Sequence, residues 1–583
     1  MPDMKTVTSD QTCHEHNGVS LQRRRLEWIR SDLLIVLCIC GLWLLMVLLV
    51  NPSGNFPLND DWAYGKTVKY LLDHGDIKFC GWNSMVLIAQ VLWGALFCLP
   101  FGFSFNALRL STLVMGALGC VATYGLLREM KASRRMALLG CLVVAANPIY
   151  FNLSNTFMTD VPFFALATLS VYLLARGLRR ESRTEIVAGI IVSILAVFIR
   201  QSGLAIQVAF GLAYLWKKGL RIRTVPLALL PTGIAGALLL AFQQWLKASG
   251  RLPDYWYQSS NLLRAAVSKG AMSMLTVAGI GTLAALIYVG LFLLPFLVAG
   301  LPHLLRMGTR RQKAVSAVVG LASLAAMTWL LATRHLLLPF LGNIWCDLSL
   351  GPPSLRDTYL LLLPNLPTAP KEFWIAPTAA AILGGGLVVY CLSIGLLLAF
   401  GRRADDGNRC PGWTLILGWS LVLLYWIPLA LVSSNTSFDR YLLPLLPFLM
   451  MLLVPVIRSP GNRILTVISL LLITLYAAFS IGGTHDYLAW NRARWEALDD
   501  LMKSGVPARQ IDGGFEFNGW YFYDPSYRSN RFPRWWYAQD DLYTLSFGDI
   551  PGYEEFREYS FRRWIPPGDG RVFVLRRLDE EGQ

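Results

Sequence analysis

Two acidic segments lie outside the apolar runs of this 583-residue chain, in settings where a carboxylate can do chemistry. The first is Asn59-Asp60-Asp61-Trp62-Ala63-Tyr64, and the second is Thr156-Phe157-Met158-Thr159-Asp160-Val161-Pro162. A carboxylate within about 3 Å of a hydroxyl can take its proton as the oxygen attacks an electrophile. An acid at a helix start more commonly caps it, which is worth about 0.5–2 kcal/mol. On position alone, capping is the stronger reading for Asp160, and a solvated loop pair is the ordinary one for Asp60 and Asp61. Arg200, in Phe198-Ile199-Arg200-Gln201, and Arg440, in Asp439-Arg440-Tyr441, are cations at the ends of apolar runs. Each can neutralise an anion bidentately. The alternatives are snorkelling toward headgroups for Arg200 and pairing with Asp439 for Arg440. Tyr64 and Trp82 can line a ligand pocket or anchor the chain at a membrane interface.

The elements that must hold these residues are membrane helices. The chain is 55% hydrophobic and 15% charged, where soluble domains carry about 25% charge. Its mean hydropathy is +0.46. Apolar runs long enough to cross about 30 Å of hydrocarbon recur along it. Spans are expected near 33–50, 107–127, 136–153, 161–176, 186–199, 203–216, 225–245, 272–300, 314–333, 376–400, 412–432, 441–457 and 464–482. Alternate connections are basic: Arg128 to Arg135, Arg176 to Arg183, Lys217 to Arg223, Arg306 to Lys313, Arg402/Arg403/Arg409 and Arg458/Arg463. The positive-inside rule therefore puts these loops, and the tail with Arg23-Arg24-Arg25, in the cytoplasm. The net charge of +15 is thus an insertion signal, and no nucleic-acid partner is implied.

Met85 to Phe101 is apolar but breaks the alternation, because counting it as a span would put Asp60 and Asp160 on opposite sides. It is expected to be a re-entrant or interfacial helix on the outer face. The expected architecture is an α-helical polytopic membrane protein of about 13 transmembrane helices with outer juxtamembrane helices. It divides into a cytoplasmic tail (1–31), a transmembrane domain (32–482) and a small outer α+β domain (483–583). Residues 484–583 carry 13 Lys/Arg and 17 Asp/Glu, a clear change in composition. There, Tyr487 to Lys503 reads as an amphipathic helix and Gly514 to Phe517 as strand-like. Tyr559 to Trp564 and Arg571 to Arg577 read as strands, joined by a turn at Pro566 to Gly570.

Asp and Glu are missing from the expected spans. Before the terminal domain, the outer connections hold Asp60, Asp61, Asp73, Asp76, Asp160, Asp254, Asp347, Asp357, Glu372 and Asp439. Acids gathered at the outer boundary suit an enzyme acting on a lipid-linked substrate there, and disfavour an ion-coupled transporter.

Taken together, the motifs resemble the membrane glycosyltransferases of the GT-C superfamily, especially the protein O-mannosyltransferases and the aminoarabinose transferase of lipid A. The resemblance covers nearly the whole chain. It runs through Asp60-Asp61-x-x-Tyr64, Ala107-Leu108-Arg109-Leu110, Thr159-Asp160-Val161-Pro162, the Arg200 segment, Asp439-Arg440-Tyr441-Leu442-Leu443-Pro444 and Gly513-Gly514-Phe515-Glu516-Phe517-Asn518-Gly519. It implies the GT-C fold and an inverting sugar transfer from a polyprenyl-phosphate donor to a lipid, glycan or protein acceptor. Asp60 and Asp160 match the family's outer-loop acids, with Asp60 as general base. Asp61, Tyr64, Trp82, Asn83, Arg200 and Arg440 are the matching candidates for substrate binding.

One departure stands out. Where many relatives place a Lys or His that holds phosphate, this chain has Gly81-Trp82-Asn83-Ser84-Met85. Asn83 can hydrogen-bond phosphate but cannot neutralise it, so Lys78, Arg251 or Arg264 could substitute. His74, His303, His335 and His485 are scattered, so no metal and no other cofactor is expected. Two rivals remain open: a lipid-linked oligosaccharide ligase or polymerase, and a glycolipid transporter or flippase. A covalent product separates the first from the second. The setting implied is a bacterial inner membrane, with the amino terminus cytoplasmic and the carboxyl terminus periplasmic.

Overall fold

A computed structural model of the chain describes residues 31–400, 411–432, 438–527 and 536–578. The Arg23-Arg24-Arg25 tract and the Arg402/Arg403/Arg409 connection lie outside the described residues.

The first span is α1 (Ser31–Val50). The loop after it holds α2 (Asp61–His74) and α3 (Ile88–Cys98). At 11 residues α3 is about 16 Å long, too short to cross, as the charge alternation requires. Next come α4 (Phe105–Glu129), α5 (Arg134–Ala145), α6 (Pro148–Ser154), α7 (Asp160–Arg180), α8 (Arg183–Val197), α9 (Leu204–Lys218) and α10 (Thr224–Ala248). After α11 (Gln258–Ser268) come α12 (Ala271–Arg306) and α13 (Arg310–Arg334). A long loop follows with the two-residue strands β1 (Trp345–Cys346) and β2 (Ser349–Leu350) and the short α14 (Arg356–Tyr359). The last membrane elements are α15 (Lys371–Phe400), α16 (Gly412–Leu431), α17 (Leu445–Leu453) and α18 (Arg463–Lys503).

Polar residues set where these helices begin. Ser104, Ser133, Ser182 and Asn462 each accept a backbone N–H from the first turn of α4, α5, α8 and α18. Thr309 and Gln312 form a reciprocal capping box at α13.

Of the 13 expected spans, ten meet the length and composition of a full crossing. Among the described residues, nine helices are long and apolar enough to cross, and the bent pair α5–α6 makes a tenth. The pair bends by 63° at Asn147, which precedes Pro148 and is extended (φ −66°, ψ 124°). The Ala146 carbonyl at the bend accepts from Ser480 Oγ (2.7 Å). The remaining three expected spans coincide with shorter helices, α8 and α9 at 15 residues and α17 at 9. Charge alternation reports which side a loop lies on, not how long the helix beside it is. Helix α8 ends and α9 begins beside the turn that holds Arg200, and α17 begins just after the turn that holds Arg440.

Helices α12 and α15 cross with their backbones nearly touching. A Cβ on Gly290 would stand 2.1 Å from the Gly385 nitrogen, so only small residues fit the crossing.

The terminal domain is not a separate helix plus sheet. The last span and the expected 487–503 helix are one 41-residue helix, α18, so the boundary at 483 falls within a continuous element. The hydropathy drop marks a change of solvent, while helix propensity carries through it. Beyond it lie β3 (Ile511–Asp512), α19 (Phe515–Phe522), β4 (Tyr543–Ser546), β5 (Tyr553–Trp564) and β6 (Pro567–Arg577). The sheet order is β3-β4-β6-β5, parallel between β3 and β4 and antiparallel elsewhere. The strand-like Gly514–Phe517 is instead the start of α19, because Gly514 turns the chain at φ +87°. The β5–β6 turn is also tighter than expected, with Trp564 opposite Pro567. Asp486 of α18 accepts the N–H groups of Trp564 and Ile565, both at 2.8 Å, and so fixes the hairpin to the helix.

Candidate active site

Three devices place the acidic turn before α2. Arg109, near the start of α4, donates to the carbonyls of Pro52, Gly54 (3.1 Å) and Phe56 (3.2 Å). Asn59 adopts a left-handed conformation (φ 56°). Asp61 turns inward, its Oδ2 accepting from Leu58 N (3.3 Å) and its Oδ1 from Phe157 N (2.8 Å). Asp61 thus ties the loop after α1 to the segment that precedes Asp160. Burial pushes its carboxyl up to about 8, against those two amides and the charge of Arg109.

Asp60 is in the N-cap position of α2, yet its side chain makes no capping bond. It accepts from the Trp82 indole N–H (Oδ1, 2.9 Å) and lies 3.9 Å from Arg440 Nη1. Burial raises its pKa, while Arg440 and the Trp82 hydrogen bond oppose the rise.

Asp160 does not cap its helix either. Thr159 is in the cap position without a side-chain capping bond, and Asp160 lies 2.8 Å from Arg200 Nη2. Arg200 Nε also donates to Thr159 Oγ1 (2.8 Å). Asp160 is 1% exposed and Arg200 5%, so Arg200 is a buried ion-pair partner and does not snorkel. Arg200 reaches the site because α8 ends at Val197, and Ile199 O accepts from Leu87 N (3.1 Å) just before α3.

Arg440 does not pair with Asp439. The Asp439 carboxylate is spent on the N–H groups of Ile344 (3.2 Å), Trp345 (2.7 Å) and Arg440 itself (2.7 Å). Burial still pushes it up to about 7. The Arg440 guanidinium is thereby left to face Asp60. Burial works against its charge, but Asp160, Tyr441 and Asp60 more than offset this and hold its pKa above the ordinary value.

The two acid–arginine pairs form one centre. The Tyr441 ring lies under both guanidiniums, 5.5 Å from Arg440 and 5.7 Å from Arg200. Buried Tyr64 feels all four charges, and desolvation raises its hydroxyl well above the usual value. Several polar atoms here are buried without a hydrogen-bond partner: both oxygens of Asp160, Arg200 Nη2, and Nε and Nη1 of Arg440. The Asp160–Arg200 contact is thus a charge contact with poor hydrogen-bond alignment, and the centre keeps capacity for a polar ligand. Beside it, Gly281, Ala285, Leu341, Trp426, Phe438 and Tyr441 line an apolar cleft.

The structure therefore gathers Asp60, Asp160, Tyr64, Trp82, Arg200 and Arg440, with Asp61 behind them as a tie. Asn83 is buried on Thr67 (Nδ2 to Oγ1, 3.4 Å), and no described contact joins it to the four charges. Arg251 is committed to Asp76 by two bonds of 2.6 and 2.7 Å. Lys78 lies over the Tyr70 ring at 5.9 Å, and Arg264 is exposed on α11. Among the described residues, no group of three or more His, Cys, Asp or Glu is arranged to hold a metal ion.

Sequence reasoning missed the anchoring roles of Arg109 and Thr159. It also placed Glu516 only within a family motif. Glu516 accepts from the Asn59 backbone N–H (3.0 Å), a contact that spans most of the chain.

Residues 90–245 match the family model described as dolichyl-phosphate-mannose-protein mannosyltransferase. No curated protein sequence matches the chain. Among solved structures, the chain is similar to the oligosaccharyltransferase AglB from Archaeoglobus fulgidus in complex with an inhibitory peptide and a dolichol-phosphate. Identity there is 15% and the TM-score 0.41, over 83% of this chain and 58% of that one. It is also similar to ArnT from Cupriavidus metallidurans bound to undecaprenyl phosphate, at 13% identity and a TM-score of 0.31, over 77% of this chain and 89% of that one. The chain spans little more than half the length of the archaeal enzyme. The family match covers α3 to α10 and includes Asp160 and Arg200. The match to this family model extends over about a quarter of the chain.

Proposed function

We propose that this protein is an inverting glycosyltransferase that takes a sugar from a polyprenyl-phosphate donor and transfers it to a hydroxyl of a lipid, glycan or protein acceptor at the outer face of a membrane. The observation that carries the reading is the paired centre: Asp60 facing Arg440 at 3.9 Å, and Asp160 against Arg200 at 2.8 Å. In this reading Asp60, raised by burial, takes the acceptor O–H proton as that oxygen attacks the anomeric carbon. The carbon–oxygen bond to phosphate breaks, and its electron pair leaves with the polyprenyl phosphate. Arg440, with unspent donors at Nε and Nη1, neutralises the phosphate and takes the role that Asn83 cannot fill. Asp160 holds Arg200 beside Tyr441. One base and a direct displacement invert the anomeric configuration.

The test is transfer by the purified protein from polyprenyl-phosphate sugars to extracted acceptors, followed by mass spectrometry and anomeric assignment of the product. Asp60→Asn is expected to abolish product while the protein stays folded in the membrane. Full activity in that variant, or a product of retained configuration, overturns the assignment.

A further inference from the structure

We infer that Glu516, on the outer terminal domain, is a positioning residue that sets the Asp60 carboxylate by holding the Asn59 amide. The inference rests on Asp60 being the base. Asn59 is the left-handed residue directly before Asp60, and its N–H donates to Glu516 Oε1 at 3.0 Å. The other carboxylate oxygen is fixed independently, by Ser354 Oγ–H at 2.6 Å and Arg494 Nη1 at 2.8 Å. Arg494 belongs to α18, and its Nε donates to Gly513 O at 2.8 Å. Glu516 and Arg494 are both fully buried. The carboxylate thus joins the last membrane helix, the loop before α14 and the turn that presents Asp60.

An ion pair this deep is a poor device for stability alone, because an apolar pair of similar volume would serve as well or better. What an apolar pair lacks is an acceptor for the Asn59 N–H. The same domain also packs on the turn from its far side. A Cβ on Gly519 would meet the Trp62 indole at 2.5 Å, and Lys66 Nζ donates to Gly519 O at 3.1 Å. These contacts place the helix after Asp60, and Glu516 places the residue before it.

Two substitutions separate positioning from fold maintenance. Glu516→Asp keeps the charge beside Arg494 but withdraws the acceptor by one methylene. Glu516→Gln keeps the reach and an acceptor oxygen for Asn59 but loses the charge pairing. The expected order is therefore opposite for the two readouts. Glu516→Asp should lower kcat about 100-fold, as a displacement near 1 Å does, with donor KM within about threefold. Its 58–61 amides should exchange with deuterium about tenfold faster than in the parent protein, while α18 stays protected. Glu516→Gln should melt earlier than Glu516→Asp yet keep kcat within about threefold of the parent. The inference is overturned if Glu516→Asp retains kcat, if Glu516→Gln loses as much as Glu516→Asp, or if exchange at 58–61 is unchanged. Should Glu516→Gln not fold, Ser354→Ala replaces it with the same expectation, since it leaves the Asn59 contact intact. If that variant too fails to fold, the carboxylate is a fold element and the assignment falls. An Asp60→Asn protein with full activity removes the base reading separately, because the exchange result does not depend on it.

Discussion

The Trp82 indole N–H donates to Oδ1 of Asp60 across 2.9 Å, and this contact turns the carboxylate away from the amides of the helix it begins. Trp82 is itself held in an aromatic cluster with Trp62 (5.9 Å), Tyr255 (5.0 Å), Phe515 (5.8 Å) and Trp536 (5.6 Å). The donor therefore has little freedom, and the acid it holds is presented in a fixed geometry.

Trp82→Phe keeps most of the ring packing and removes only this donor. A hydrogen bond to a charged group is worth about 1.5–3 kcal/mol, so kcat should fall roughly 10- to 150-fold with modest change in stability. The bond favours the ionised carboxylate, so without it Asp60 binds its proton more tightly and the acid limb of the rate profile moves to higher pH. An unchanged kcat and acid limb would remove Trp82 from the machinery.

The acid limb itself is a prediction. A general base works only when ionised, and burial raises Asp60 above the ordinary carboxylate value. Activity should therefore decline on acidification well before pH reaches about 4, where a solvated aspartate would titrate. Arg440 opposes that rise, so Arg440→Gln should shift the limb further upward and weaken donor binding. Arg440→Lys should restore the limb through its charge but not the donor affinity, because an ammonium cannot bind phosphate bidentately. Profiles of kcat/KM for the three proteins decide it.

Much of this centre was legible in the sequence. Position alone favoured capping for Asp160 and a solvated pair for Asp60 and Asp61; the family resemblance of their motifs singled out Asp60, Asp160, Arg200 and Arg440, and loop charges place them all on one side. The partners were not legible. Nothing local in Asp439-Arg440 says that the aspartate is consumed by the amides of Ile344 and Trp345, which leaves the arginine for Asp60. The helix lengths were missed for a related reason. Leu204 to Lys218 is apolar enough to read as a span, but its start is set by the turn that carries Arg200, a tertiary feature. In the terminal domain, Gly514 at φ +87° converts an apparent strand into a helix start, which a hydrophobic pattern alone does not encode.

The Asp160–Arg200 pair offers a double substitution with a sign. Removing one member of a buried pair strands the other, at about 3–5 kcal/mol. Arg200→Gln alone should therefore lower the thermal midpoint in detergent strongly. Adding Asp160→Asn should recover much of that loss, since two neutral amide groups replace a stranded carboxylate. Activity should stay low in both proteins, because both lack the Arg200 guanidinium beside Tyr441 and leave Arg440 there alone. Equal midpoints for the single and double variants would mean that the stranded Asp160 carboxylate costs the fold nothing.

Asp61, next to the proposed base, should act on stability in a pH-dependent way. Its carboxyl is pushed up to about 8 by burial, while in the unfolded chain it titrates near 3.8. Between these values the folded protein holds a proton that the unfolded chain has released. Stability from this group is therefore full below about pH 4 and is lost progressively as pH rises toward 8. Asp61→Asn cannot titrate and keeps only one acceptor for the Phe157 and Leu58 amides, so it should be less stable than the parent at low pH. The gap in melting temperature between parent and variant should narrow from pH 5 to pH 8 and then level off. A gap that stays constant across that range would show that Asp61 is already ionised in the fold, with its two amide contacts outweighing its burial.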